Sequence, residues 1–525
     1  MKENMFFTFN IVPKSSFLSD TGTPNTAFLT MDNWDDFGFK TLFLLHVYDE
    51  KGKLHEVGGI HIGFKGQTGG FTSDHLDKSF QTLPENFFSL GTGVEYYTYV
   101  RDNFPDDVKD SLLKALRDVA YNTEILSQAN QEAVFGTSFL RSTSLSVVTN
   151  QYVRVLQGGA TLTSYNFSYT KPRSSKYSGI KLDFKVTPES NPSSNIHILI
   201  GRNGVGKTTL LNSMVQAALS KNADKSETGF FKDNDHNFAN IAGPRPLAED
   251  YFSGVISVSF SAFDPFVPPQ EQNDPTKGMC YYYIGLKDQN GRHKETSELG
   301  EYFIESFRSC IHMKPKRELW LKAIKILESD QNFADMNLQI LAEPDEKTKQ
   351  SGVEEVARYL FRNMSSGHAI VLLTLTRLIE KVEEKTLILL DEPESHLHPP
   401  LLAAFTRALS DLLISRNGLA IVATHSPVVL QEVPKFCVSI VRRSRLEATV
   451  DRPEIETFAE NVGTLTREVF GLEVSKSGFH ALLEESVASG KTFNEIMHEY
   501  NDQIGFEGRA ILQSLINSRN TQQGT

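Results

Sequence analysis

Short apolar runs divided by polar segments rich in Gly and Pro pattern the chain, and their character changes twice. Over residues 1–160 the pattern is that of strands. Lys40–Tyr48 (KTLFLLHVY) and Leu54–Phe64 (LHEVGGIHIGF) flank Asp49-Glu-Lys-Gly-Lys53, which reads as a hairpin with a Gly turn. Phe104-Pro105-Asp106-Asp107 then opens a helix expected to run to about Val119, with Pro near its first turn and acids at the positive end of the dipole. Tyr165–Tyr169 and Ile180–Val186 read as two more strands, and Thr187–Ser194 (TPESNPSS) is a loop.

From Asn195 the pattern becomes α/β. Ile196–Ile200 (IHILI) is a short apolar strand, followed by a Gly-rich loop and a helix over about Lys207–Leu219. Residues 221–250 are polar and are expected to form a surface loop, and Gly254–Phe263 returns to strand character. Residues 265–300 are rich in Pro and Gly around Tyr281–Ile284, and 297–365 carry a helical pattern. Leu387–Leu390 and Leu419–Ala423 are apolar strands that each run into polar chemistry. Such strands separated by helices predict a buried, parallel sheet. After Val438–Ile440 and a basic turn at Arg442-Arg443-Ser444-Arg445, residues 457–518 are predicted to be a helical tail.

Composition narrows the class. At 525 residues the chain has room for two to four units of about 150 residues. Lys and Arg total 53 against 65 Asp and Glu, a net charge of −12, which argues against a surface that coats nucleic acid but leaves room for a local basic patch. Cys280, Cys310 and Cys437 form no CxxC pair, so neither a zinc ribbon nor a disulfide framework is expected. The N-terminus does not read as a signal peptide. No apolar stretch reaches the roughly 18 residues of a membrane helix. The expected location is the cytoplasm, with no membrane association.

Gly201-Arg-Asn-Gly-Val-Gly-Lys-Thr208 matches G-x-x-x-x-G-K-[ST] between a predicted strand and a predicted helix, the setting that gives this motif its meaning. Its backbone N–H groups can turn around a polyphosphate, Lys207 can reach the β- and γ-phosphates, and Thr208 can hold Mg²⁺. Gly201, Asn203, Gly204, Val205, Gly206, Lys207, Thr208 and Thr209 are therefore the candidate nucleotide-binding residues.

Leu387–Leu390 ends in Asp391-Glu392-Pro393. Asp391 is the second candidate metal residue, coordinating Mg²⁺ through water, and Glu392 the candidate general base. Taken alone, the segment could equally be a strand ending in a charged turn. The strand Leu419–Ala423 leads to Thr424-His425-Ser426-Pro427, and its tip should lie beside Asp391, where ligands collect in parallel sheets. His425 is then placed to contact the γ-phosphate and the attacking water, although a lone His is more often a structural group. Met364-Ser365-Ser366-Gly367-His368 precedes the apolar helix Ala369–Ile379; Ser365 or Ser366 would cap it, and its amides could take a phosphate from a second subunit.

In this order the residues resemble the ABC-type ATPases. Gly201–Thr208 is similar to Walker A, Met364–His368 to the LSGGQ signature, Leu387–Glu392 to Walker B with the catalytic Glu, Ser395–His398 to the D-loop, and His425 to the switch histidine. DEPESHLHP followed by THSP is closer to the soluble SMC/RecF/OLD-like branch than to transporter subunits, and the likeness covers roughly residues 160–455. It departs from the family at two points. No clear Q-loop stands in Gly254–Phe266, where Ser259, Ser261, Asp264 and the nearby Gln270 are the candidates. His368 replaces the usual signature Gln. Lys207 and Gly367 lie 160 residues apart (207 to 367), too few for an SMC-type coiled coil but enough for a compact helical lobe. Lys314, Lys316, Arg317 and Lys322 beside Trp320 are either a nucleic-acid contact or, more ordinarily, a solvated helix face; Arg442, Arg443 and Arg445 pose the same choice.

Over its whole length the chain most resembles PtuA-like anti-phage defence ATPases of Septu and retron systems. The DEPESHLHP strand end, the β-rich N-terminal extension and the Glu460–Phe470 segment of the tail carry this likeness. It implies an α/β fold: an ABC-type P-loop core with a compact helical lobe, a β-rich N-terminal extension and a helical C-terminal tail. The expected divisions are an α+β extension over 1–160, the first part of the core over 161–296, the lobe over 297–365, the second part of the core over 366–456 and the tail over 457–525. It further implies ATP and Mg²⁺ as cofactors and a head-to-tail dimer in which Walker A of one subunit faces Ser365, Ser366 and Gly367 of the other. The partner would be a separately encoded HNH-type nuclease or a reverse transcriptase with its non-coding DNA, and nucleic-acid contact would be indirect. No nuclease constellation lies in the chain itself; Asp233-Asn-Asp235 reads as an exposed turn. The alternatives are a RecF-like ATPase of DNA maintenance and a scaffold that holds ATP with little turnover.

Overall fold

The computed structural model describes the chain except for residues 1–6, 15–17, 142, 144, 146, 159–163, 175–178, 221–223, 235–244, 249–250, 262–263, 275–277, 345–347, 349–351, 445–446, 475–477 and 524–525. The predicted N-terminal hairpin forms, with Leu42–Tyr48 antiparallel to Leu54–Phe64. It lies within a six-stranded sheet in the order Ser79–Phe80, Thr8–Val12, Thr26–Met31, Leu42–Tyr48, Leu54–Phe64, Phe87–Gly91. Helices Val94–Asn103 and Asp106–Ala115 bury Tyr97, Leu112 and Leu113 with Leu45, Ile60 and Leu90 of the sheet in one core. The second helix ends four residues before the expected Val119. Arg117 adopts φ 50, and Asp118 turns its carboxylate back onto the amides of Ala120 (2.9 Å) and Tyr121 (3.0 Å), a local bond that competes with the helix.

The central sheet explains the placement of the motifs. Its strands are β1 (Ile196–Ile200), β2 (Gly254–Ser259), β3 (Cys280–Gly285), β4 (Thr386–Asp391), β5 (Leu419–Thr424), β6 (Val438–Ser444) and β7 (Glu447–Asp451). They run in the order β3-β2-β4-β5-β1-β6-β7, all parallel except the β7 edge. Thus β5, with His425 at its end, separates the phosphate-loop strand β1 from the acidic strand β4. Successive side chains leave a strand on opposite faces. On one face Leu199, Val255, Leu387, Leu389 and Ile421 meet Leu210, Leu211 and Met214 of α1 (Lys207–Leu219). On the other, Ile198, Ile256, Ile388, Leu390 and Val422 share a core with the helical lobe.

That lobe comprises α2 (Thr296–His312), α3 (Lys314–Leu327), α4 (Val353–Arg362) and α5 (Ser366–Lys381), with α6 (Pro399–Arg416) packed alongside. Trp320 lies at its centre, 1% exposed, its Nε1 donating to Thr376 Oγ1 at 3.0 Å. Two members of the basic cluster are engaged within the chain: Lys316 is buried with its ammonium on the Glu380 carbonyl (2.7 Å), and the exposed Lys322 pairs with Asp411 (2.8 Å).

Part of the polar span 221–250 departs from the expected loop. Phe230–Asp233 pairs with Tyr165–Lys171, and Arg245–Pro246 pairs with it in turn, extending an antiparallel sheet that also contains Ile180–Val186. Phe231 supplies the reason, since it buries against Phe167 and Phe252. The strand expected over Gly254–Phe263 ends at Ser259. Arg442 and Arg443 lie within β6 and not in a turn, with Arg442 paired to Asp451 (2.6 Å); Arg445 and Asp235 fall outside the described residues. In the tail, α7 (Val462–Val474) buries Leu465 and Val469 in the main core. Phe479–Ala488, Phe493–Glu499 and Phe506–Gln523 form a small core of their own. Among the described residues no helix is long and apolar enough to cross a membrane.

Candidate functional site

The chain turns from β1 into α1 through Gly201–Gly206. Gly206 caps α1 at φ 98 and ψ 25, a left-handed conformation that a side chain would strain. The first amides of α1 carry the partial positive charge of the helix dipole, and the loop leading into them borders a crevice. Arg202, Asn203, Gly204 and Val205 line this crevice, joined by His425, Arg443 and Phe470 from distant parts of the chain. Lys207 is buried, and its ammonium donates to the carbonyls of Gly201 (3.0 Å) and Arg202 (3.3 Å). Burial lowers its pKa, while the nearby Glu392, Glu394 and Asp391 oppose that shift. An arriving phosphate offers this ammonium a full negative charge in place of two carbonyl dipoles.

Asp391 ends β4 level with Ala423 of β5 and Ser259 of β2. Burial pushes its carboxyl up to about 7, with the neighbouring Thr208 hydroxyl pulling the other way. Neither carboxylate oxygen has a hydrogen-bond partner of ordinary geometry. A buried, unpaired carboxylate beside a hydroxyl and a phosphate loop fits a hard divalent cation that takes oxygen ligands. No cluster of three or more His, Cys, Asp or Glu that could hold a metal occurs among the described residues. A Mg²⁺ that draws most of its ligands from phosphate and water needs none.

Glu392 follows in the left-handed region at φ 47 and ψ 59, held by its N–H donating to Ala423 O (2.8 Å). Non-glycine residues occupy this region at a cost and often do so at functional sites. His425 brings Nδ1 to 3.9 Å from Glu392 Oε1 and to 3.0 Å from Glu394 Oε1. The latter is an ion-pair distance without the alignment of a full hydrogen bond. The Glu394 side chain is 8% exposed and accepts from Thr424 Oγ1 (2.8 Å) and His425 N (2.7 Å). Its carboxylate raises the pKa of His425, while its own pKa is lowered, burial being outweighed by the donors around it. Glu394 carries no motif signal beyond its place in DEPESHLHP, and only its distance from His425 reveals it.

Two of the four Q-loop candidates, Ser259 and Asp264, lie beside Thr208 and Asp391. Asp264 accepts from Ser259 Oγ (3.1 Å) and lines a pocket with Thr208, Ser259 and Asp391, whereas Gln270 is exposed and does not line it. Ser365 and Ser366 are exposed at the N-terminus of α5, and Ser365 caps it. Gly367 is buried where a Cβ would lie 2.4 Å from the His396 carbonyl, so only glycine lets the segment after Glu392 cross α5 so closely. None of Ser365, Ser366 and Gly367 lines the crevice at Arg202–Val205.

Comparison with known proteins adds three findings. Residues 344–431 match the family model "AAA domain, putative AbiEii toxin, Type IV TA system". Protein ea59 of Escherichia phage lambda is 46% identical over 528 residues, spanning 97% of this chain and 98% of that one. Among solved structures, cbiO1 from Clostridium perfringens, part of the ABC transporter complex cbiONQ, aligns at TM-score 0.29 and 13% identity over 60% of this chain and 95% of its own. An ATP-binding cassette of an ABC transporter in its ADP conformation aligns at TM-score 0.30 and 16% identity over 59% and 98%.

Proposed function

This chain belongs to the family of phage lambda protein ea59 and carries a phosphate loop between β1 and α1; on that footing we propose that it has an ABC-type ATPase core and binds and hydrolyses ATP at the interface of a head-to-tail dimer. The observation that carries the proposal is Asp391: a buried carboxylate without a hydrogen-bond partner, next to Thr208 and Lys207 and followed by Glu392. Thr208 and, through water, Asp391 would hold Mg²⁺, which when bound neutralises charge on the β- and γ-phosphate oxygens. Gly201, Asn203, Gly204, Val205, Gly206 and Thr209 cradle the phosphates with Lys207, which swings from the loop carbonyls to the phosphate oxygens. Glu392 takes a proton from the attacking water onto its carboxylate. His425 faces the γ-phosphate with Nε2 while Glu394 holds Nδ1. Ser365, Ser366 and Gly367, exposed or poised at a helix N-terminus and absent from their own chain's crevice, serve the partner's γ-phosphate.

ATP closes the dimer and hydrolysis opens it, and the switch governs a separately encoded effector. The motif likeness to defence ATPases supports an HNH-type nuclease as that effector. A Glu392→Gln variant tests the catalytic reading: it is expected to lower turnover by about 10²-fold or more and to accumulate an ATP-bound dimer in analytical ultracentrifugation. Unchanged turnover in Glu392→Gln, or no turnover by the wild type, refutes it.

A further inference from the structure

We propose that Asp330 is a positioning residue for the partner's γ-phosphate, acting through His368 and Ser365. The inference rests on the sandwich dimer proposed above. Asp330 lies in the helical lobe, 38 positions before His368, and its side chain is 7% exposed. It caps the short helix Gln331–Met336 by accepting from Asn332 N (3.0 Å) and Phe333 N (3.2 Å). The same carboxylate reaches His368 Nε2 at 3.1 Å and His398 Nε2 at 3.0 Å. On its other side the His368 ring places Nδ1 2.5 Å from Ser365 Oγ, and the Phe333 ring packs against it at 5.0 Å. One buried acid thus ties together the helical lobe, the turn that opens α5, and the segment that follows Glu392.

This arrangement accounts for a His where the ABC signature has Gln. The Asp330 carboxylate can only accept, so Nε2 of His368 carries a proton and donates to it. That fixes the ring and aims Nδ1 at Ser365. With Nδ1 unprotonated, the Ser365 hydroxyl donates inward to the ring. That bond fixes the turn that opens α5, and with it the helix amides offered to the partner's γ-phosphate. His398, half exposed and on the same carboxylate, is the other titratable group that faces this relay.

Asp330→Asn keeps a good capping side chain but removes the charge and one acceptor. The expected result is a folded chain with wild-type affinity for ATP, at least about a tenfold loss of turnover, and a similar loss of ATP-dependent dimerisation in the Glu392→Gln background. Because the contact acts in trans, mixing Asp330→Asn with Lys207→Ala chains restores one intact site per mixed dimer, up to about a quarter of wild-type turnover. Lys207→Ala mixed with Ser365→Arg is the control. Wild-type turnover and dimerisation in Asp330→Asn overturn the inference. So does failure of Asp330→Asn to complement when the control pair does. If the control pair fails to complement, the sandwich dimer itself falls, and this inference with it.

Discussion

Glu394→Gln isolates a residue whose role is visible only in the folded chain. The substitution preserves shape and an acceptor for Thr424 and the His425 amide, but it removes the negative charge 3.0 Å from His425 Nδ1. At an effective dielectric of about 20 a full charge pair at that distance amounts to roughly 5 kcal/mol. The His425 side chain is 42% exposed, so solvent screens much of this. The low end of the range for a hydrogen bond to a charged group, about 1.5 kcal/mol, is the better guide. If that orientation is felt only in the transition state, kcat falls about tenfold while KM, set by the phosphate loop, stays put. The pH profile moves as well. Glu394 raises the pKa of His425, so the wild type retains the imidazolium to higher pH. In Glu394→Gln the ring loses its proton earlier on the way up, and any activity limb it controls shifts to lower pH. Steady-state ATPase assays from pH 5.5 to 9, with nucleotide affinity measured by fluorescence, read both effects. Wild-type kcat with an unmoved profile would refute the reasoning, and a loss confined to KM would place Glu394 in binding instead.

Two further predictions concern the frame around the site. Trp320→Ala removes the largest fully buried side chain and strands the Thr376 hydroxyl, so it should cost about 3–5 kcal/mol in urea unfolding; a loss under about 1 kcal/mol would mean that the lobe is loosely packed around it. Asp118 is fully buried, and burial pushes its carboxyl up to about 7, against hydrogen bonds from Tyr97 and two amides. The folded state therefore holds this proton where the unfolded state has lost it, and the contribution to stability declines as pH rises from about 4 to 7, by up to about 4 kcal/mol. Relative to the wild type, Asp118→Asn should gain stability between pH 4 and pH 8, and a difference that does not vary with pH would disprove the assignment.

Much of the site was legible because its pieces are local. The strand Ile196–Ile200, the loop Gly201–Gly206 and the helix Lys207–Leu219 are consecutive, and the phosphate cradle is made by backbone that one short sequence dictates. The same holds for Thr386–Asp391 with Glu392 and for Leu419–Thr424 with His425, where an apolar run fixes a buried strand and its end fixes a side chain. Ser365 as the cap of α5 was likewise written in the order of polar and apolar residues.

Residues that depend on another part of the chain were not legible. Phe230–Asp233 reads as polar loop until Phe231 finds Phe167 across the antiparallel sheet. Ser259 and Asp264 could not be told from the other Q-loop candidates until β2 ran beside β4 and brought them to Thr208 and Asp391. Asp330 carries no motif and gains its role from two histidines, 38 and 68 positions away (368 and 398), that meet on one carboxylate. The sequence alone determined the phosphate loop, the two acidic and histidine strand ends, and the α/β character of the core, since backbone geometry and the alternation of side chains act over a few residues. The tertiary structure decided the strand order that separates β1 from β4 by β5, the exclusion of Ser365–Gly367 from their own chain's crevice, and which buried carboxylates found donors, because burial and hydrogen-bond partners are set by the segments that cross in space.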